Sequence, residues 1–384
     1  MSHSTIEAAV LREIRLDKAA TRVQLARRLE IAPSTIGIHV DRLVEQGFLR
    51  EMTQSESGLG RPPKILEPNP AAGQFIGIDL DARRLHGVSV DFSQQLLRER
   101  STDIPLRASA DDVLAQILEV IRSLRDRRRK LLGIGLAIPG TLNAAADTAL
   151  HYRFIRGWSQ IPLLRIVHSA FPVPVYVENN VRVMALAERW FGQARAMETV
   201  ICVGIRSGIG AGIILNGELF RGPNGLAGEI GTWPVTVASS GQASGQTVPL
   251  EDLASLRSLQ QRLRHAQRKG IKTSLHSTRR EVFISSLKLA AVDQDPLALQ
   301  VLRDAATAVG RAISQISLLL NPQMIIVGGP LADFEESFMT PLREEASVCL
   351  LPQHAIMPDI VSTSLGELAG AKGAAALALH RWQP

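Results

Sequence analysis

Apolar positions recur at helical spacing through the first fifty residues, and beyond residue 70 the chain changes to short apolar runs alternating with helical stretches. Ile6, Ala9, Val10 and Ile14 share one face of a first helix, which Ser4-Thr5-Ile6-Glu7 opens as a capping box. Leu25 and Leu29 lie four apart on a second helix, with Thr21 and Gln24 spaced for another capping box. After the short turn Glu30-Ile31-Ala32-Pro33, Ser34 is expected to cap a third helix whose Ile36, Val40, Leu43 and Val44 face inward. The opposite face then carries Ser34, Thr35, Gly37, Ile38, His39, Asp41 and Arg42, small or polar groups that suit a major groove.

Gly47 stops that helix and Phe48-Leu49-Arg50 starts a strand, answered across a polar loop by Lys64-Ile65-Leu66. Three helices followed by a hairpin outline a winged helix-turn-helix, with double-stranded operator DNA as its partner. Arg61, between Gly60 and Pro62, sits in the expected wing, where an extended arginine suits a narrow minor groove. Helical periodicity alone would favour an ordinary helical hairpin that binds nothing, and the glycines and prolines could merely make a linker; the flanking hairpin and its wing favour DNA.

Past Pro68-Asn69-Pro70, strands are expected at Gln74 to Asp79, Leu85 to Asp91, Gln95 to Arg100, Leu131 to Ile138, Val173 to Val177, Thr199 to Ile205, Gly212 to Leu215 and Met324 to Val327. Helices are expected at Asp111 to Arg125, Val181 to Phe191, Leu250 to Ala266, Arg280 to Ala291, Pro296 to Leu320, Phe334 to Ala346 and Gly370 to His380. The alternation predicts an α/β fold. A DNA-binding domain over 1–70 is followed by a larger domain over 71–384.

Charge changes this picture little. The net charge is +6, but residues 1–70 hold ten Lys/Arg against nine Asp/Glu, so the excess lies elsewhere. Arg125-Asp126-Arg127-Arg128-Arg129-Lys130 and the stretch from Arg262 to Lys272 read as solvated helix ends. The two cysteines, Cys202 and Cys349, stand among apolar neighbours and read as buried free thiols in a reducing compartment. With no secretory pattern and no apolar run long enough for a bilayer, a cytoplasmic protein with no membrane partner is expected.

Asp79 after its strand, Ile138-Pro139-Gly140, Val177-Glu178-Asn179-Asn180, the glycine-rich turn at 207–212, Gly228-Glu229-Ile230-Gly231 and Asn321-Pro322…Gly328-Gly329 together resemble the ROK family of bacterial sugar-responsive repressors and sugar kinases. No piece is specific alone; their order and spacing are. The resemblance covers essentially the whole chain. It implies an actin-like, ribonuclease-H-like region of two lobes with a ligand cleft between them, and a homodimer or homotetramer. The family's repressors carry an N-terminal winged helix; its kinases do not.

Departures from the family pattern bear on function. Its kinases follow the first aspartate with Gly-Gly-Thr against the ATP phosphates, whereas this chain has Asp81-Ala82-Arg83 after Asp79-Leu80. They carry Asn-Asp, the aspartate being general base, where this chain has Asn179-Asn180. An amide cannot accept that proton, and general-base catalysis contributes about 10² to 10⁴-fold. Family members commonly place a histidine and a cysteine cluster for zinc after Gly-Glu-x-Gly; here Thr232 follows, and Trp233 to Pro249 holds no cysteine or histidine. No catalytic residue, cofactor or metal is therefore expected.

The resemblance assigns ligand contacts to Gly140, Asn179, Asn180, Glu229 and Glu251, carboxylates and amides that pair with a polyol's hydroxyls. The family's contact loop becomes Phe154-Ile155-Arg156-Gly157-Trp158, where Arg156 hints at an acidic ligand, although a surface arginine is the simpler reading. Glu178 and Glu188 read as ordinary helix-end and surface groups. The expected function is a transcriptional repressor answering to a small sugar or sugar derivative, without kinase activity. The alternatives are a regulator controlled by a protein partner with a vestigial cleft, and a sugar kinase.

Overall fold

The computed structural model describes residues 3–17, 20–53, 64–81, 84–143, 145, 147–152, 155–195, 197–237, 246–279, 282–348 and 358–384. Among them the chain forms two compact units, Met1–Val183 with Gly370–Pro384, and Met184–Ala369.

The first unit opens with α1 (His3–Asp17), α2 (Arg22–Arg28) and α3 (Pro33–Glu45), then β1 (Leu49–Thr53) and β2 (Lys64–Pro68). The two strands pair antiparallel from Leu49↔Pro68 to Thr53↔Lys64. Thr21 and Gln24 form the expected capping box at the start of α2, with Thr21 N donating to Gln24 Oε1 at 2.8 Å. Two helix starts differ from expectation. The first helix is already formed at His3, and α3 begins at Pro33 with Ala32 as its uncapped N-cap. Proline lacks the N–H that would be unsatisfied there and carries a helix-ready φ, so Ser34 falls inside the first turn.

A five-stranded sheet follows, built from β3 (Gln74–Leu80), β4 (Arg84–Asp91), β5 (Leu96–Asp103), β6 (Leu131–Ile138) and, after the small β7 (Thr141–Leu142), β8 (Ala149–His151) and β9 (Ser159–Ile161), β10 (Val175–Asn179). Its order is β10-β6-β3-β4-β5. Strands β3 to β5 form an antiparallel meander and β6 and β10 run parallel to β3. Every residue of β3 and β6 is buried, the signature of strands covered on both faces. One cover is α4 (Ala110–Leu124), started by a Ser109–Asp112 capping box and burying Val113, Ile117, Val120, Ile121 and Leu124. Another is α12 (Ala369–Arg381), an alanine- and glycine-rich helix. A Cβ on Gly77 or Gly135 would overlap the α12 backbone at Ala371 and Ala374, so sheet and helix meet main chain to main chain. Between them in sequence lie α5 (Leu163–Ala170) and α6 (Asn180–Phe191).

The second unit repeats the strand plan. Among the described residues its main sheet runs β13-β12-β11-β16-β17, from β11 (Val200–Ile205), β12 (Ile209–Leu215), β13 (Glu218–Phe220), β16 (Met324–Gly328) and β17 (Asp359–Ser362). Strands β11 to β13 form a meander and β16 and β17 add in parallel. A hairpin of β14 (Pro234–Val237) and β15 (Gln246–Pro249) leads into α7 (Leu250–Ala254), α8 (Leu256–Arg268), α9 (Phe283–Val292), α10 (Pro296–Leu320) and α11 (Thr340–Val348). The single helix expected from Leu250 to Ala266 is two, because Ser255 is extended (ψ 155°) and its side chain caps α8 at Ser258 N. Helix α10 is the spine of this core and is capped by Asp295. Cys202 is buried in β11, and burial pushes its thiol pKa up, in keeping with an inert core thiol. Cys349 lies outside the described residues.

Candidate functional site

On α3, Ser34, Ile38, Asp41 and Arg42 are exposed, with Thr35 and Gly37 half-buried beside them. Ile38 keeps 60% of its surface exposed. Gly37 stands in the helix interior, where glycine costs roughly 1 kcal/mol against alanine. A Cβ there would meet nothing within 4 Å, so no internal neighbour asks for glycine.

His39 departs from expectation. It is 2% exposed, and its Nδ1 lies 3.2 Å from Oε1 of Glu7, itself buried in α1. Three residues on from Ile36 and one before Val40, it falls on the flank of α3 that packs against α1, so it does not present itself to a base edge. Glu7 also accepts from Arg42 Nη1 at 3.1 Å while the rest of that side chain reaches solvent. From sequence, Glu7 reads only as a capping-box residue. Yet it stands three, four and seven residues before Val10, Leu11 and Ile14, on the inward face, where a carboxylate requires a partner. Arg22 joins Asp41 of α3 (2.7 Å) to Glu51 of β1 (2.6 Å), tying helix to hairpin. Arg61 and the wing lie outside the described residues.

In the first unit Gly140, Asn179 and Asn180, the positions where ligand contacts are expected, come together at the ends of β6 and β10. Asn179 Nδ2 donates to Gly140 O at 3.2 Å, and its Oδ1 accepts from Val181 N (2.9 Å) and Arg182 N (3.2 Å), closing the start of α6. Gly140 has φ +82°, and a Cβ would stand 2.5 Å from His151 O, so the turn needs glycine. Asn180 is buried and its Nδ2 donates to Leu80 O at 3.3 Å, spanning from α6 to the end of β3. Asp79 is fully buried against Gly370 in the first turn of α12. Asp81 N closes a turn onto Arg84 O at 2.9 Å, while Ala82 and Arg83 lie outside the described residues.

Glu178 is not a surface group. It is 1% exposed and accepts from Asn179 N (2.9 Å) and Arg182 Nη1 (3.5 Å), an internal pair that fixes the β10–α6 junction. Arg156 is at the surface, and its loop is held by Ala110 N donating to Arg156 O at 2.9 Å and by the buried Ile155 and Trp158. Phe154 lies outside the described residues.

In the second unit Glu229 and Glu251 are half-buried. The loop of Gly228-Glu229-Ile230-Gly231 is fixed by Gly228 (φ +88°), whose carbonyl accepts from Ala211 N at 2.7 Å, and by buried Ile230. Thr232, where a family histidine is expected, turns its hydroxyl back to Glu229 O at 2.8 Å. Glu251, in the first turn of α7, is brought to this loop: Cβ atoms built on Gly208 and Gly231 would lie 3.1 and 3.4 Å from its Oε2. Trp233 packs onto the unit's core. Glu188, expected at the surface, is fully buried and accepts from the Thr363 hydroxyl and from Gln193 N (3.1 Å). Among the described residues no cluster of three or more His, Cys, Asp or Glu side chains is placed to hold a metal, and no helix is long and apolar enough to cross a membrane.

Residues 75–381 match the ROK family, and residues 4–50 match the winged helix-turn-helix DNA-binding family. The chain belongs to the ROK family. It is 27% identical to the xylose repressor of Caldicellulosiruptor bescii over 87% of this chain and 85% of that protein. The crystal structure of a ROK family transcriptional regulator, a homologue of the Escherichia coli MLC protein, matches with a TM-score of 0.81 and 26% identity over 99% of this chain and 96% of that one. A ROK family glucokinase from Streptomyces griseus, solved with glucose and AMPPNP, matches with a TM-score of 0.67 and 26% identity, covering 99% of its own length but 80% of this chain. The regulator match spans 99% of this chain, and with the winged helix-turn-helix over residues 4–50 it makes this ROK protein a DNA-binding transcriptional regulator.

Proposed function

We propose that this regulator is a repressor that binds a two-fold operator as a homodimer or homotetramer, is released by a sugar or sugar derivative, and transfers no phosphate. Residues 1–70 form the DNA-binding head. Ser34, Thr35, Gly37 and Ile38 face the bases, Arg42 positions on phosphate with its exposed end, and Arg61 belongs to the wing's minor-groove contact. His39 is withdrawn from this set and supports α3 from behind. The effector residues in this reading are Gly140, Asn179, Asn180, Glu229 and Glu251.

The observation that carries the reading against a kinase is Asn180. A buried amide stands where the resemblance places the general base, and its Nδ2–H is given to the Leu80 carbonyl. A carboxylate there would face that carbonyl oxygen without a proton to offer. The xylose-repressor relative supports a sugar effector, and the winged helix-turn-helix match over residues 4–50 supports DNA as the partner of α3.

The test titrates sugars and operator DNA in parallel against wild type, Glu229→Gln and Glu251→Gln. Charge-assisted hydrogen bonds contribute about 1.5–3 kcal/mol each, so either variant should bind the releasing sugar about tenfold to a hundredfold more weakly. Ligand-free operator affinity should hold, leaving proteins that stay on DNA whatever sugar is present, since a ligand shifts an equilibrium only through its differential affinity. Equal sugar affinity in all three proteins would place the effector elsewhere.

A further inference from the structure

Arg15, near the end of α1, is 3% exposed, and its guanidinium donates through Nη1 to the carbonyl of Leu379 in the last turn of α12, at 3.0 Å. It also lies 4.2 Å from the centroid of the Phe92 ring and 6.0 Å from that of Phe75. Burial pulls its pKa down to about 9, still far enough above neutrality to keep it charged. A cation costs several kcal/mol to bury, so the burial of Arg15 has to be offset by what surrounds it.

Phe48, which follows α3 directly, packs edge-on to Trp382 (4.9 Å between centroids) and stacks on Phe92 (5.4 Å). Trp382 in turn meets Phe75 and Phe92 at 6.2 and 5.5 Å. The DNA-binding head thus rests, through Arg15 of α1 and Phe48 after α3, on the C-terminal end of α12. The other end of that helix abuts the Asp79 carboxylate at Gly370. The Arg15 cation at its last turn complements the helix dipole. In its middle, a Cβ on Gly373 would overlap Val183 O, in the helix that Asn180 begins. Gly77 and Gly135 leave no gap on the sheet side. Backbone meets backbone on both sides, so α12 connects the Asn179–Val183 segment to the joint at Arg15 with no gap between them.

We propose that Arg15 is a positioning residue for operator recognition, the capped joint through which α12 sets the pose of the DNA-binding head and relays the occupation of Asn179 and Asn180. The relay half of this statement rests on the sugar-effector reading above; the pose half does not. Neither Arg15 nor α12 touches DNA or ligand in this scheme. The joint determines whether paired heads reach two half-sites at once.

The experiment uses full-length wild type, Arg15→Met and Arg15→Lys, with an operator selected by the wild-type protein from random DNA. Affinity is measured for the whole operator and for a duplex carrying one half-site. Arg15→Met is expected to lose about tenfold or more on the whole operator while half-site binding stays within twofold, and Arg15→Lys, which can still donate to Leu379 O, is expected to regain part of the loss. Unchanged operator affinity in Arg15→Met, or equal loss on operator and half-site, would overturn the proposal, the second because it would mean only a damaged head. D-xylose, D-glucose and N-acetyl-D-glucosamine are then titrated in. A sugar that releases wild type should bind Arg15→Met normally yet change its operator affinity far less, and an undiminished response would overturn the relay. If no sugar releases wild type, the sugar-effector reading and the relay that rests on it fail, and the operator and half-site measurements still decide the pose.

Discussion

Replacing Gly37 by alanine separates the stability of the head from its use. Glycine in a helix interior is disfavoured against alanine by about 0.8–1.0 kcal/mol, and the added methyl would meet no atom of the protein within 4 Å. Within the protein the substitution therefore has only a gain, about 1 kcal/mol of local helix stability, equivalent to roughly fivefold slower hydrogen exchange of α3 amides where exchange is set by local opening. On DNA the sign reverses. Gly37 shares its face with Ser34 and Ile38, and a methyl on a helix seated in a major groove displaces the backbone from the base edges. A loss of about 1.4 kcal/mol, or tenfold in operator affinity, is expected. Exchange mass spectrometry over residues 33–46 and fluorescence anisotropy on operator DNA read the two effects in one preparation. Faster exchange would show a packing role for Gly37, and unchanged operator affinity would remove this face from the interface.

Three further outcomes follow from the same structure. His39→Ala should cost about 2 kcal/mol of head stability by exposing the buried Glu7 carboxylate to an incomplete set of donors, and should lower affinity for operator and variant half-sites alike; a changed base preference in selection experiments would restore His39 to the interface. Asn180→Asp should destabilise the protein in thermal unfolding by about 1–3 kcal/mol, since a carboxylate replaces the donor to Leu80 O, and should produce no phosphoryl transfer from ATP to hexoses or amino sugars; turnover would contradict the reading of this residue. For Asp295, burial works to raise the carboxyl pKa, but hydrogen bonds from Ala298 N and Ser274 N outweigh it and the net shift is downward. Its contribution is therefore present above the ordinary carboxylate pKa and is lost as pH falls through the lower folded value. Asp295→Ala should cost about 1–2 kcal/mol at neutral pH, and the gap to wild type should narrow below about pH 4; a gap that is constant with pH would refute the assignment.

Much of the fold was legible because its elements are strongly patterned. The β6 strand and α10 run over the expected residues, one an unbroken apolar run and the other a long periodic helix closed by Asn321 in the left-handed region. The strand β17 gave too short and polar a signal to be seen, since Asp359 and Ser362 bracket only two apolar residues. Ser34 misled because a serine after proline looks like a cap, while proline at the first helical position does the same work without a side-chain bond. Glu178, Glu188 and His39 went wrong together for one physical reason: a charged or polar residue is read as exposed unless its partner is known, and each partner here is either remote in sequence or, like Arg182, on an adjoining helix. Arg15 escaped notice for the same cause, its acceptor lying 364 residues away. The proposed ligand contacts came from resemblance; no periodicity marks Asn179 or Glu251.

The central claim is that a sugar controls the occupation of DNA by this head. Footprinting of the full-length protein on the DNA upstream of its own coding sequence and of neighbouring genes, repeated across a panel of pentoses, hexoses, amino sugars and their phosphates, tests it most directly. The account predicts a protected two-fold site whose half-sites lie one helical turn or a multiple apart, about 34–36 Å per turn, with protection abolished by one class of sugar. A chain that protects no site, or that stays bound in the presence of every sugar in the panel, would contradict it.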